Sequence, residues 1–203
     1  MATFSTDADL LKWEPTLMRE IVLDHQCLTH GNGASSHTFS VVAASGLFIT
    51  SKVRTQHVIH LKNADQGVDN YYEILSVESE MELMAGMVGG HGEEWVPLPT
   101  ATALEFRIQT FDPQHEDAAE TLLSRFGLEA DSPNGLARWV AQRQFLRRAS
   151  VALALAVLYR NQADGGMQRK AEHYARLYED EVAKARLVLD RDSETRRLET
   201  PDA

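Results

Sequence analysis

Apolar residues recur at spacings of three and four through the last third of the chain. Ala171, Tyr174, Tyr178, Val182, Ala185 and Leu189 form one stripe of a 3.6-residue helix whose other faces are charged, which predicts a helix from about Gln168 to Asp190. A second long helix is predicted ahead of it, from Leu136 to about Asn161. It opens at Ser132-Pro133-Asn134-Gly135, where Ser132 can accept from an orphan N–H and Pro133 loses no needed donor, and it closes at Asp164-Gly165-Gly166. Arg138, Arg143, Arg147 and Arg148 interrupt its beginning, whereas Ala149 to Leu158 is apolar almost all round and has to be covered on most sides. That run is too short to span a bilayer, which takes roughly 20 apolar residues. Leu153, Val157, Tyr174 and Tyr178 are the expected core of the resulting bundle.

Near the N-terminus, Thr6-Asp7-Ala8-Asp9 before Leu10-Leu11 reads as a capped helix start with acids at the favourable end of the dipole. Pro15 interrupts it, so two short amphipathic helices are expected, Asp7 to Trp13 and Pro15 to about Leu23. From Cys27 to about Phe111 the pattern changes to β-branched and aromatic runs between Gly, Ser and Asn clusters. The expected strands are Thr38 to Ala43, Leu47 to Val53, Gln56 to Leu61, Tyr71 to Val77 and Ala103 to Thr110. Ala44-Ser45-Gly46 is the expected first turn, with Gly46 free to take a positive φ, and Met84 to Gly92 a mobile loop. Asp112-Pro113, then Ala118, Ala119, Leu122, Leu123 and Phe126, then Gly127, predicts a complete short helix.

The fold expected from this pattern is α+β: a helical bundle built from the N- and C-terminal parts, with an inserted antiparallel β-rich subdomain. Residues 1–26 would supply the N-terminal helices, 27–111 the insertion, 112–190 the bundle core and 191–203 a flexible or partner-ordered tail.

Composition fits a globular protein, with 43% hydrophobic and 25% charged residues over a 203-residue chain. Its net charge of -10 is uneven: residues 1–134 carry 7 basic and 20 acidic residues, and 135–165 carry 5 basic and 1 acidic. Such a chain is a poor general binder of phosphate backbone. One cysteine, Cys27, excludes an intrachain disulfide and fits a reducing compartment. The first residues have neither a basic region nor an apolar run and do not read as a secretory signal.

Candidate chemistry is sparse. His25, Cys27 and His30 match no common zinc spacing and lack an evident fourth ligand. His57 and His60 fall on opposite faces of a strand. The glycines Gly86, Gly89, Gly90 and Gly92 lack the following Lys-Ser or Lys-Thr of a phosphate loop, and Ser35 and Ser36 lack a nucleophile-elbow setting. Glu78, Glu80, Glu82, Glu93 and Glu94 read as a solvated face, with a calcium site or an acidic channel lining as alternatives. No catalytic residue, cofactor or metal is expected.

Thr6-Asp7-Ala8-Asp9-Leu10-Leu11 with Glu14-Pro15, then Leu155-Ala156-Val157-Leu158-Tyr159, a break, Lys170-Ala171-Glu172-His173-Tyr174, Tyr178-Glu179-Asp180-Glu181 and Leu189-Asp190-Arg191-Asp192 resemble the head-to-tail adaptor (head-completion or connector) proteins of tailed bacteriophages. The resemblance covers about residues 4–24 and 136–192, and its motifs are weakly specific. It implies a non-enzymatic helical protein that assembles as a homo-oligomeric ring matching portal symmetry. Such a ring binds the portal protein and a tail terminator or neck protein, and DNA passes through it without sequence-specific contact. The implied location is the virion head-tail junction, after synthesis in the host cytoplasm. Arg138, Arg143, Arg147 and Arg148 would then serve the interfaces between copies, and Arg191, Arg196 and Arg197 the portal contact. A small cytoplasmic α+β enzyme or ligand-binding protein, with a pocket between bundle and insertion, is the alternative.

Overall fold

The computed structural model describes residues 3–87, 95–126 and 144–194, and the side chains at 144–145 and 186–194 lie outside that description. The chain divides into two compact units, Thr6–Asp112 and, from both ends of the sequence, Met1–Ser5 with Pro113–Ala203.

The first unit is a closed antiparallel barrel of six strands: β1 (Cys27–Thr38), β2 (Ser40–Val42), β3 (Val58–Asn63), β4 (Val68–Val77), β5 (Glu82–Met87) and β6 (Leu98–Gln109). The order around the barrel is β1-β2-β5-β4-β3-β6, and β6 closes it by pairing with both β1 and β3. Alternation along the strands explains the fill. In β3, Ile59 and Leu61 are fully buried while His60 and Lys62 point outward; in β6, Leu104, Phe106 and Ile108 point in while Glu105 and Arg107 point out. Phe48, Tyr72, Ile74 and Leu83 complete the interior, with Phe48 edge-on to Phe106 at 5.9 Å.

Helices α1 (Asp7–Trp13) and α2 (Leu17–Glu20) belong to this barrel unit. Thr6 and Asp9 form a reciprocal capping box on α1. The Ala8 N–H donates to the Gln56 carbonyl at 3.2 Å, Gln109 Nε2 donates to the Ile21 carbonyl at 3.1 Å, and Asp7 Oδ1 accepts from the Phe111 N–H at 2.9 Å. Leu10, Leu17, Met18 and Ile21 are buried.

The expected helical bundle with a β-rich insertion is therefore corrected: the β segment closes into a barrel, and the N-terminal helices go with the barrel. Helices of 7 and 4 residues are too short to hold a bundle, and the hydrogen bonds just described fasten them within the barrel unit. Of the expected strands, Leu47 to Val53 is a run of turns. The Glu80 carboxylate accepts from the backbone of Ile49 and Thr50 and from Thr50 Oγ1, capturing amides that a strand would give to its neighbour. Leu47 and Lys52 adopt left-handed φ values of 48° and 58°. Gly46 is required for a close approach and not for a positive φ: a Cβ there would lie 2.7 Å from the Phe48 ring and 2.9 Å from the Glu80 carbonyl oxygen. Of the expected mobile loop, Met84 to Met87 belong to strand β5 (Glu82–Met87), and Gly89, Gly90 and Gly92 fall outside the described residues.

The second unit holds α3 (Asp112–Arg125), whose first residue lies in the barrel unit, α4 (Gln144–Arg160) and α5 (Gly165–Glu194). The two glycines that were expected to end α4 instead start α5. Asp164 Oδ1 accepts from the Gly166 and Met167 N–H groups at 2.7 and 3.2 Å, a helix cap in the usual geometry. Tyr159 and Tyr174 stack at 6.0 Å across the α4–α5 hairpin. Arg125 of α3 donates from both guanidinium amines to the two Glu179 oxygens. Ser5 Oγ lies 2.8 Å from both His115 Nδ1 and Ser150 Oγ in a buried cluster that pins the first residues to α3 and α4. No helix among the described residues is long and apolar enough to cross a membrane.

Candidate functional site: a cross-strand charged groove

Antiparallel register brings one outward-facing residue from each of four strands into a single row. His30 on β1 pairs with Arg107 on β6, Arg107 with His60 on β3, and His60 with Tyr71 on β4. The next row places Lys62 between Glu105 and Asp69. Each position follows from alternation: once Leu61 and Phe106 fill the interior, His60, Lys62, Glu105 and Arg107 have to face out.

Two hollows open on this face and share His60, Lys62 and Arg107. One, of about 370 Å³, is lined on its far side by Met18, Arg19, Val22, Val58 and Tyr71; the other, of about 310 Å³, by His30, Gly31, Asn32 and Phe106. Gly31 is needed where it stands, because a Cβ there would come within 2.5 Å of Ser45 Oγ and 2.8 Å of the Phe106 ring.

The side chains are held in order. His60 stacks on Tyr71 with ring centroids 4.4 Å apart, and the Arg19 guanidinium lies 5.7 Å from the centre of the Tyr71 ring. His60 Nε2 is 2.7 Å from Asp69 Oδ1, and Arg19 Nη2 donates to the Asp69 carbonyl at 2.8 Å. The His60 hydrogen bond holds the Asp69 carboxyl below its ordinary value, with the Arg19 charge acting the same way against desolvation. Burial pushes the Tyr71 phenol up. Arg107 Nη2 donates to Asp24 Oδ1 at 2.9 Å, while its Nε is buried and meets no acceptor among the described residues. The row therefore presents cations and donors from Arg19, His30, Lys62 and Arg107, balanced by the exposed carboxylates of Asp24, Asp69 and Glu105.

A second cluster lies elsewhere in the barrel unit. Ligand atoms of Asp7, His57 and Asp112 come within 4.8 Å of one another. The Arg54 guanidinium, 2.6 Å from Asp112 Oδ1, supplies the cation there, and Asp7 Oδ1 is engaged by the Phe111 N–H. The Arg54 backbone N–H donates to His57 Nδ1 at 3.3 Å, and His57 Nε2 lies 3.1 Å from Arg54 Nε and 3.3 Å from Asp112 Oδ2. This is an ion-pair cluster that ties residues 7, 54, 57 and 112 together.

Of the residues singled out in the sequence, Arg147 and Arg148 are exposed on α4, and Arg148 Nε lies 3.9 Å from Glu181 Oε2 of α5. Tyr174 and Tyr178 are buried, whereas Leu153 and Val157, four residues apart on α4, are half-buried. Arg138, Arg143, Arg196 and Arg197 lie outside the described residues; Arg191 falls within α5, its side chain undescribed. His25, Cys27 and His30 do not converge as ligands. Sequence reasoning missed the groove, although its signal was present in the period-two triplets His60-Leu61-Lys62 and Glu105-Phe106-Arg107. Compared with protein-family models, with curated proteins and with solved structures, the chain matches none of them.

Proposed function

We propose that this chain is a structural adaptor of a tailed-phage head-to-tail junction: a non-enzymatic protein that forms a ring between the portal and a tail terminator or neck protein and continues the DNA channel in the virion. The observation that carries the reading is the α4–α5 hairpin. The resembling stretches Leu155 to Tyr159, Lys170 to Tyr174 and Tyr178 to Glu181 all fall in it, and α5, at 30 residues, spans about 45 Å and runs on to Glu194. Its last part carries Arg191, one of the residues assigned to portal contact.

A further feature supports assembly. Val42, Leu47, Ile49 and Met81 are 44%, 55%, 56% and 52% exposed. The Ala43 N–H bond to the Met81 carbonyl and the Phe48 N–H bond to the Glu80 carbonyl draw their segments together at one end of the barrel. Clustered exposed apolar side chains are suited to burial against another subunit, and a ring requires two different complementary surfaces on each copy. Negative-stain microscopy and light scattering of the purified chain, alone and mixed with a portal ring, test the proposal. A ring-shaped density seated on the portal is expected; a chain that stays monomeric and unbound after mixing overturns it.

A further inference from the structure

We propose that the Arg107 groove of the barrel binds a small phosphorylated ligand with an apolar or aromatic body. This inference does not rest on the adaptor reading, because the groove lies within the barrel unit of a single copy.

Three observations converge on that ligand class. The first is the half-used guanidinium of Arg107. Its Nε and Nη2 form one edge with two parallel donors, the geometry that holds an oxyanion through two oxygens. Asp24 Oδ1 meets only Nη2, and Nε, buried, meets no acceptor among the described residues. A buried donor left unmet carries a desolvation cost that a second oxygen would relieve. Asp24 is also a weak holder of the site: its side chain is 90% exposed, and surface pairs of that kind contribute little. An incoming oxyanion can take its place.

The second observation is convergence. Lys62 stands exposed in the neighbouring row, between its register neighbours Glu105 and Asp69, and His30 flanks Arg107 on the other side. Donors from three strands lining one hollow match the three terminal oxygens of a phosphate better than the two in-plane oxygens of a carboxylate.

The third is the lining. The larger hollow runs from these cations onto Met18, Val22, Val58 and Tyr71, an apolar and aromatic wall beside a charged centre. Hollows of about 370 and 310 Å³ sharing one set of cations are the size of small-ligand sites. A long polyanion fits less well. The chain carries a net charge of -10, and Asp24, Asp69 and Glu105 surround the cations, so each added phosphate away from the groove meets repulsion.

The test titrates isotope-labelled full-length chain with phenyl phosphate, inorganic phosphate, acetate and a thymidine oligonucleotide, read by amide chemical shifts. The expected result is that phenyl phosphate binds more tightly than inorganic phosphate, acetate produces no saturable change, and the shifts centre on His30, His60, Lys62 and Arg107. Lys62→Gln, at an exposed position that leaves the fold intact, should weaken phenyl phosphate by about tenfold, the loss of one charge-assisted hydrogen bond. Asp24→Asn should tighten it severalfold by freeing the Arg107 edge, whereas Glu116→Gln on α3, with the same change of charge, should not. Shifts centred elsewhere, equal response to acetate, or no tightening in Asp24→Asn would overturn the proposal. Tighter, steeply salt-dependent binding of the oligonucleotide would also overturn it and assign the groove to nucleic-acid backbone. None of these outcomes bears on whether the chain seats on a portal.

Discussion

The barrel and the helical hairpin are both well buried, but their interiors differ in grain. The barrel is filled by large side chains, Phe48, Ile59, Leu61, Tyr72, Ile74, Leu83, Leu104 and Phe106. Helix α4 buries small side chains, Ala149, Ser150, Ala152, Ala154 and Ala156, as often as larger ones, Leu146, Val151, Leu155, Leu158 and Tyr159. In the barrel, volume has to be supplied to fill the space that strand curvature encloses. On α4, small side chains let neighbouring backbone come close, so there is little room left to fill. One interior is vulnerable to loss of atoms, and the other to their gain.

The sharpest test of that contrast is reciprocal. Leu104→Ala in the barrel should cost about 3 kcal/mol or more in urea unfolding, through lost burial and a cavity among residues already committed to neighbours. Ala152→Leu on α4 should cost about 2 kcal/mol, although it adds apolar surface, because the site has no space. Stabilisation by Ala152→Leu would show that the helix is loosely covered and break the comparison. Gly46→Ala extends the idea to the barrel's own tight spot: its Cβ would collide with Phe48 and with the Glu80 carbonyl, and a loss of about 2 kcal/mol is expected in thermal unfolding.

Smaller effects separate the two units electrostatically. Burial alone would raise the Asp112 carboxyl pKa, but hydrogen bonds from His57 and Arg54, and the Arg54 charge, hold it well below the usual carboxylate range. The folded value lies under the unfolded one, so this stabilisation is fully present above the ordinary value of 3.8 and is lost as pH falls through the acid range toward the folded value. Asp112→Asn should lower stability at neutral pH by about 1 kcal/mol, after allowance for its partial exposure, and flatten that acid loss. An acid unfolding profile identical to the parent's would exclude the role. In the helical unit, Glu179→Gln removes a pair with Arg125 on a more exposed surface, and differential scanning calorimetry should register less than about 1 kcal/mol.

Much of the helical unit was legible in the sequence because its signals are local. The stripe Ala171, Tyr174, Tyr178, Val182 reads directly as a helix, and in the barrel unit the equally local Thr6 cap announces the start of α1. The barrel was legible only in pieces. β1 hides behind Gly31, Gly33 and paired serines, which look like loop punctuation, yet its shifts of register accommodate them. Leu47 to Val53 has strand composition and is diverted by a carboxylate 30 residues away. The groove is harder still, since His30, His60, Tyr71 and Arg107 become neighbours only through strand register, and register is set by the closed ring as a whole.

That closure also has a consequence for how the chain is made. β6 lies between β1 and β3, pairing Gln109 with both Cys27 and Val58. Until it emerges during synthesis, the two strands it will join present open backbone, the surface on which unfolded chains adhere to one another. Contacts so distant in sequence also form slowly, because loop entropy has to be met before they can reward it. The interval between the appearance of β3 and that of β6 is thus the window in which a nascent chain is most exposed to aggregation, and a single strand ends it by covering two edges at once.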